Sequence, residues 1–185
     1  MKSPFLLAAL GVLVFSISAE PEKPAPDKPA PATDRVKFPE GYAEKFKILR
    51  TVDRAEKGEV VTVYGNAKAA SVTRTNDLPY PNGSIMVMET SEAAKDADGK
   101  PLRDVQGHLK KDKAVGLHVM RREKSFGEAY GPNRSGEWEF VEYKPDGSYI
   151  TPPAKSAACA ECHIKAGPQR DFVYKAALAS QFDSH

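Results

Sequence analysis

Cysteine is scarce in this chain: 185 residues contain two, Cys159 and Cys162, and no others. A structural zinc site needs about four ligands, and no second Cys/His pair stands elsewhere to complete one. Charge of one sign is also missing, since 27 Lys and Arg face 25 Asp and Glu. A balanced chain offers no global basic field for nucleic acid. Its local basic spots, Lys110-Lys111-Asp112-Lys113 and Arg121-Arg122, read as solvated surface. No internal repeat is visible. Long apolar runs are absent past the N-terminus, and the one near it, Pro4 to Ile17, falls short of the ~20 residues a membrane span needs.

That run follows a basic start, Met1-Lys2, and precedes the small residues Ser16, Ser18 and Ala19. The order is that of a secretory signal peptide over residues 1–19. No cysteine follows the cleavage region, which argues against a lipoprotein, and no stable span is expected after cleavage. Residues 20–34 are Pro, Ala and charges with no large apolar side chain. They cannot bury a core and are expected as an extended, solvated spacer. Residues 35–185 fit a single domain.

The two cysteines stand in Cys159-Ala160-Glu161-Cys162-His163. Thiols three positions apart can each add to one vinyl group of a porphyrin, and the adjacent imidazole can then ligate the iron. A dithiol redox pair would not need His163. The motif therefore predicts one covalent haem c, held by Cys159 and Cys162 with His163 as the metal ligand. Haem c is attached outside the bacterial cytoplasmic membrane, so motif and signal peptide together predict the periplasm.

Strand signals dominate the domain. Lys45 to Val52, Glu59 to Tyr64, Ser84 to Thr90, Val115 to Arg121 and Trp138 to Tyr143 read as strands. Asn66 to Thr73 reads as a short helix with Asn66 as its N-cap. Ser91 to Asp104 and Gly131 to Gly136 read as loops. The Ala-rich stretch around the haem motif is expected as helix, and Asp171 to Phe182 as a closing helix. The fold class is thus α+β, an antiparallel β-sheet with flanking helices.

A haem motif near the C-terminus of a strand-rich domain resembles the cytochrome P-460 family and its cytochrome c′-beta relatives. The likeness is carried by Phe38-Pro39-Glu40-Gly41-Tyr42, Val63-Tyr64, Asn82-Gly83-Ser84-Ile85-Met86-Val87-Met88-Glu89, Val115-Gly116-Leu117-His118, the haem motif and Asp171-Phe172-Val173-Tyr174. The resemblance implies a haem packed on one sheet face and often a homodimer. In P-460 proteins a lysine on the pocket strand bonds to the porphyrin. Met88 takes that position here, and no lysine lies between Arg74 and Thr90. A thioether has no amine, so ordinary haem c is expected, with Met88 against it. His118 corresponds to a distal acidic residue of hydroxylamine-oxidising members.

Strand periodicity puts Ser84, Met86 and Met88 on one face and Ile85, Val87 and Glu89 on the other. In the neighbouring strand, Gly116, His118 and Met120 share a face. His118 is open to three roles: sixth ligand, distal base or hydrogen-bond donor, and packed structural histidine. Met88 is either gap-filling core or an axial thioether. Phe46, Phe126, Trp138, Phe140 and Tyr143 are expected as core or haem-edge packing. His108 is expected to be exposed, and His185 is terminal. Three functions follow: binding of small ligands such as nitric oxide, oxidoreduction of hydroxylamine, nitric oxide or peroxide, and electron transfer with two strong axial ligands. The redox partner protein is not encoded in any motif.

Overall fold

The protein is described here by a computed structural model covering residues 28–174. The expected signal peptide, most of the spacer and everything after residue 174, with the greater part of the helix expected over Asp171 to Phe182, lie outside the described residues. Six strands form one antiparallel meander in the order β1 to β6: β1 Lys47–Arg54, β2 Glu59–Gly65, β3 Ile85–Ala93, β4 Lys111–Arg122, β5 Trp138–Tyr143 and β6 Tyr149–Thr151. Three short helices flank them: α1 Tyr42–Lys45, α2 Ala67–Ala70 and α3 Ala157–Ile164. No helix among the described residues is long and apolar enough to cross a membrane. The α+β class holds.

The central strands are buried on both faces. Val60-Val61-Thr62-Val63-Tyr64 is a β-branched run suited to a packed pleat, and all five residues are buried. Met86, Met120, Trp138 and Phe140 face Ala69 of α2, Ala160 of α3, and Tyr80 and Tyr130. Val87, Leu117, Val119, Val141 and Tyr143 form a second core on the opposite face with Val36 and Tyr64. At α2 the side chain of Asn66 accepts from Ala69 N at 2.9 Å, the expected N-cap.

The N-terminal segment straps this second face through polar anchors. Asp34 accepts from Tyr143 Oη at 2.8 Å and Tyr149 Oη at 3.1 Å. Arg35 pairs with the buried Glu139 and stacks 4.3 Å above the Phe126 ring. Further along, Tyr42 donates to the buried Glu89. Lys111 Nζ donates to Glu89 Oε1 at 2.7 Å and to Tyr64 Oη at 2.8 Å, and Ser91 Oγ donates to Glu89 at 2.9 Å. Burial alone would raise the Glu89 carboxyl, but the hydrogen bonds from Lys111, Tyr42 and Ser91 outweigh it and hold the group below its ordinary range.

The structure corrects several local expectations. Residues 28–34 are not a free spacer: Lys28 pairs with Glu161 at 2.5 Å, Ala30 packs on the first core, and Asp34 is anchored as above. Strand β3 continues through Ser91–Ala93, because Ala93 buries beside Val60 and Leu109. Two isolated bridges, Lys95 with Pro101 and Arg103 with Leu109, organise the expected loop. Strand β4 starts at Lys111, whose ammonium pairs with the buried Glu89 although its side chain stays partly exposed. Part of the loop at Gly131 is 3₁₀ helix over Glu128–Asn133. Strand β6 carried no sequence signal. The start of the expected closing helix is a turn, with Asp171 and Phe172 both left-handed at φ 49° and 61°.

Lys111→Met should remove the cation that pairs with Glu89. The loss expected is about 2 kcal/mol, the scale of a hydrogen bond to a charged group, read by urea unfolding at pH 7. The Glu89 carboxyl lies lower in the folded protein than in the unfolded chain. Its stabilisation is therefore present above the ordinary Glu range, near ~4.3, and is lost as pH falls through the lower folded value. Wild type and Lys111→Met should converge in stability in that acid window. Parallel curves down through it would show that Glu89 does not carry the effect.

Candidate functional site

Between the sheet and α3 lies a cavity of about 420 Å³. Its position follows from register. Met88 pairs with His118, and His118 pairs with Glu142, so one cross-strand row crosses β3, β4 and β5. Val63 of β2 extends that row beside Met88. Met86, Met120 and Phe140 form the next row. All these side chains line the cavity. The alternation expected for Met86, Met88, His118 and Met120 is thus observed, and His118 and Met88 meet on one wall.

The opposite wall is α3. Its Ala-rich sequence favours helix, but eight residues are marginal alone. Contacts from neighbouring segments seat it. Tyr130 Oη, buried, accepts from Phe140 N at 3.2 Å and lies 2.8 Å from Ser156 Oγ. Ser156 Oγ in turn donates to Pro153 O at 2.7 Å, so the tyrosine hydroxyl donates to the serine. Start of α3 and strand β5 are thereby tied together. Cys159, Cys162 and His163 all line the cavity from this helix. Burial pushes the Cys159 thiol up to about 11, which keeps it protonated. Cys162 Sγ lies 3.3 Å from Tyr174 Oη, whose proton goes to Cys162 O at 2.6 Å.

The His163 ring is held in one tautomer. Its Nδ1 lies 2.8 Å from the Phe172 carbonyl, so Nδ1 carries the proton and Nε2 keeps its lone pair. Phe140 packs on the ring at 4.5 Å between centroids, and Tyr174 meets its edge at 5.4 Å. Burial lowers the imidazole's proton affinity, opposed in part by the Phe172 hydrogen bond. The carbonyl itself is placed by a clamped turn. Asp171 Oδ2 accepts from Tyr80 N at 2.9 Å and pairs with Arg122 Nε at 3.1 Å, while Asp171 O accepts from Trp138 Nε1 at 2.8 Å. Gly136 leaves room for Phe172: a Cβ there would sit 2.8 Å from the ring.

His118 carries the other polar feature. Its Nδ1 lies 2.6 Å from Glu142 Oε1, and Thr151 Oγ1 donates to Glu142 Oε2 at 2.5 Å. Sequence reading missed Glu142 and Thr151. Glu142 could have been found, because it alternates in phase with Trp138 and Phe140 on the pocket face. Thr151 stands on the unsignalled β6. His108 is exposed as expected, near Asp53 at 3.6 Å and away from the cavity. His185 lies outside the described residues. Among the described residues no three His, Cys, Asp or Glu side chains form a cage for a bare metal ion.

This donor set fits an iron porphyrin. Two thiols one helical turn apart, an imidazole with a free Nε2 and a carbonyl on its Nδ1–H, and apolar walls all bound one cavity. The family profile described as Cytochrome P460 matches residues 39–175. No curated protein sequence matches the chain.

Asp171→Ala should cost about 2–3 kcal/mol, since it strips the backbone N–H of Tyr80 of its acceptor and Arg122 of its counter-ion. Urea unfolding reads that loss. Asp171→Asn keeps an acceptor for Tyr80 N and should recover part of it. Equal losses in both variants would show that the Arg122 pairing alone matters.

Proposed function

The chain belongs to the cytochrome P460 family of haem proteins, and on that premise we propose that it is a periplasmic mono-haem c-type cytochrome that binds small nitrogen oxides. Nitric oxide is the expected ligand, with redox conversion of hydroxylamine as the enzymatic extension. What carries this reading is the shared cavity of Cys159, Cys162 and a His163 whose Nδ1 is already committed to Phe172. Cys159 and Cys162 would form the two thioethers, and His163 Nε2 would ligate the iron. The bound haem would supply an iron centre that takes up small ligands and changes oxidation state. The apolar wall of Val63, Met86, Met88 and Phe140 favours small, weakly polar molecules. The signal-peptide reading of residues 1–19 supports the periplasm.

Met88 would lie against the porphyrin where relatives carry an amine. No lysine is among the described residues that line the cavity, which supports an unmodified, fully conjugated haem c. A second reading, electron transfer with two strong axial ligands, draws on the pairing of Met88 with His118 on the same wall. The ferrous absorption spectrum with and without carbon monoxide separates the two: a site open to ligand shifts on addition, and a filled one does not.

Cys159→Ser or Cys162→Ser should weaken attachment, and the double variant should release haem in denaturing electrophoresis. His163→Ala should cost the stable holoprotein, because ligation and fold stability are coupled. The intact mass should equal the mature polypeptide plus one haem with two thioethers. A double-Cys variant that retains covalent haem, or a third protein–haem bond in peptide mapping, would overturn this account.

A further inference from the structure

Resting on the haem reading above, we infer that Glu142 and Thr151 are positioning residues that hold His118 as a proton acceptor, and that the cavity accepts protic weak acids, H–X, that bind as anions. The geometry is specific. Glu142 Oε1 sits 2.6 Å from His118 Nδ1, and Glu142 Oε2 is taken by Thr151 Oγ1 at 2.5 Å. Both carboxylate oxygens are thus committed, one on each side, and the carboxylate cannot swing away from the imidazole without losing both. With Nδ1–H donated to Glu142, His118 Nε2 is a free acceptor. His118 and Glu142 both line the cavity. They come from adjacent strands as direct cross-strand partners, so backbone register sets their separation.

The groups around His118 leave it as the proton acceptor of this wall. From β2 and β3 come Val63 and Met88, which carry no charge. From α3 come Cys159 and Cys162, which as thioethers would carry no acidic proton, and His163, whose Nδ1 is occupied and whose Nε2 is assigned to the metal. From the segment after α3 comes Tyr174, whose hydroxyl already donates to Cys162 O. From β5 comes Glu142 itself, and Thr151 stands behind it. The step balances simply. The H–X bond gives its proton to His118 Nε2, the electron pair stays on X, and the products are the anion X⁻ and an imidazolium paired with the Glu142 carboxylate. Nothing is oxidised or reduced. Hydrogen peroxide and hydrogen sulfide are ligands of this class, and nitric oxide and carbon monoxide, which have no proton to lose, are not.

The test uses ferric holoprotein and cyanide, at a pH where cyanide is the neutral acid, with the association rate followed by absorption. Haem content and intact mass are measured first. His118→Leu should slow cyanide association by roughly 100-fold or more, the scale of a lost general base. Glu142→Leu should slow it by roughly 10- to 100-fold, the scale of a lost orienting partner. Glu142→Gln is near-isosteric and still accepts from Nδ1–H, so it should fall between Glu142→Leu and wild type. That graded rescue is a readout a merely structural glutamate would not give. Carbon monoxide association with the ferrous form should stay within a few-fold of wild type in all variants, showing that the pocket is intact. Unchanged cyanide rates in Glu142→Leu and Glu142→Gln would overturn the inference. So would a low-spin ferric wild type that turns high-spin in His118→Leu, because His118 would then be an axial ligand. A chain without haem would overturn the haem reading itself, and is recognised by mass before any rate is measured.

Discussion

The register of β3, β4 and β5 is the constraint on which the rest of this structure depends. A slip of one residue would turn Met88, His118 and Glu142 from the cavity to the opposite face. What resists the slip is the opposite face. Val87, Leu117 and Val141 are buried there, and so are two carboxylates, Glu89 and Glu139. Each carboxylate is matched by a specific cation, Lys111 or Arg35. An uncompensated buried charge is far more costly than an ill-fitting methyl group. Glu89 and Glu139 therefore act as register pins, although neither approaches the cavity.

The α3 wall is fixed by different means. The helix is too short to stand alone, and its imidazole needs a carbonyl at a defined place. That carbonyl comes from a turn in which two consecutive non-glycine residues adopt left-handed backbone. Such a conformation costs roughly 1–2 kcal/mol per residue. It is offset by the buried bonds of Asp171 to Tyr80, Arg122 and Trp138, all made from one residue. The strain and the clamp belong together: without the clamp, a helix would be the easier continuation after Arg170, and the Phe172 carbonyl would point elsewhere.

Legibility followed from the range of the forces involved. Strand β5 was read to the residue because Trp138 to Tyr143 is rich in aromatic and β-branched residues and is followed by a Pro-Asp-Gly turn. Period-two alternation is local, so it grouped Met86 with Met88 in one strand and His118 with Met120 in the next; that the two groups share a wall followed from the resemblance and is set by the β3–β4 register. The α3 motif was legible because thiol chemistry dictates its spacing. What stayed hidden depends on distant pairing. Lys111 looked like one of several solvated lysines because its partners, Glu89 and Tyr64, are 22 and 47 residues away. Asp171 and Phe172 looked helical because nothing local announces a clamp made by Tyr80, Arg122 and Trp138. The docked residues 28–34 looked like a spacer because their composition is that of one, and only the Tyr143 and Tyr149 hydroxyls reveal the anchor at Asp34.

The two histidines of the cavity are then distinguished by what each Nδ1 faces. His163 gives its proton to a carbonyl, which fixes the tautomer and adds no charge. His118 Nδ1 faces a carboxylate at 2.6 Å. A carbonyl partner suits an imidazole that remains neutral and offers a lone pair to a metal. A carboxylate partner suits one that must carry positive charge for a time, since the ion pair forms without moving any heavy atom. Exposure points the same way: His118 is about half exposed, with 49% of its side-chain surface accessible, so a proton can leave to solvent. His163 is packed between Phe140 and Tyr174, where a proton could not easily be exchanged. On the proposed reading, ligation would fall to His163 on one wall of the cavity and proton transfer to His118 on the other.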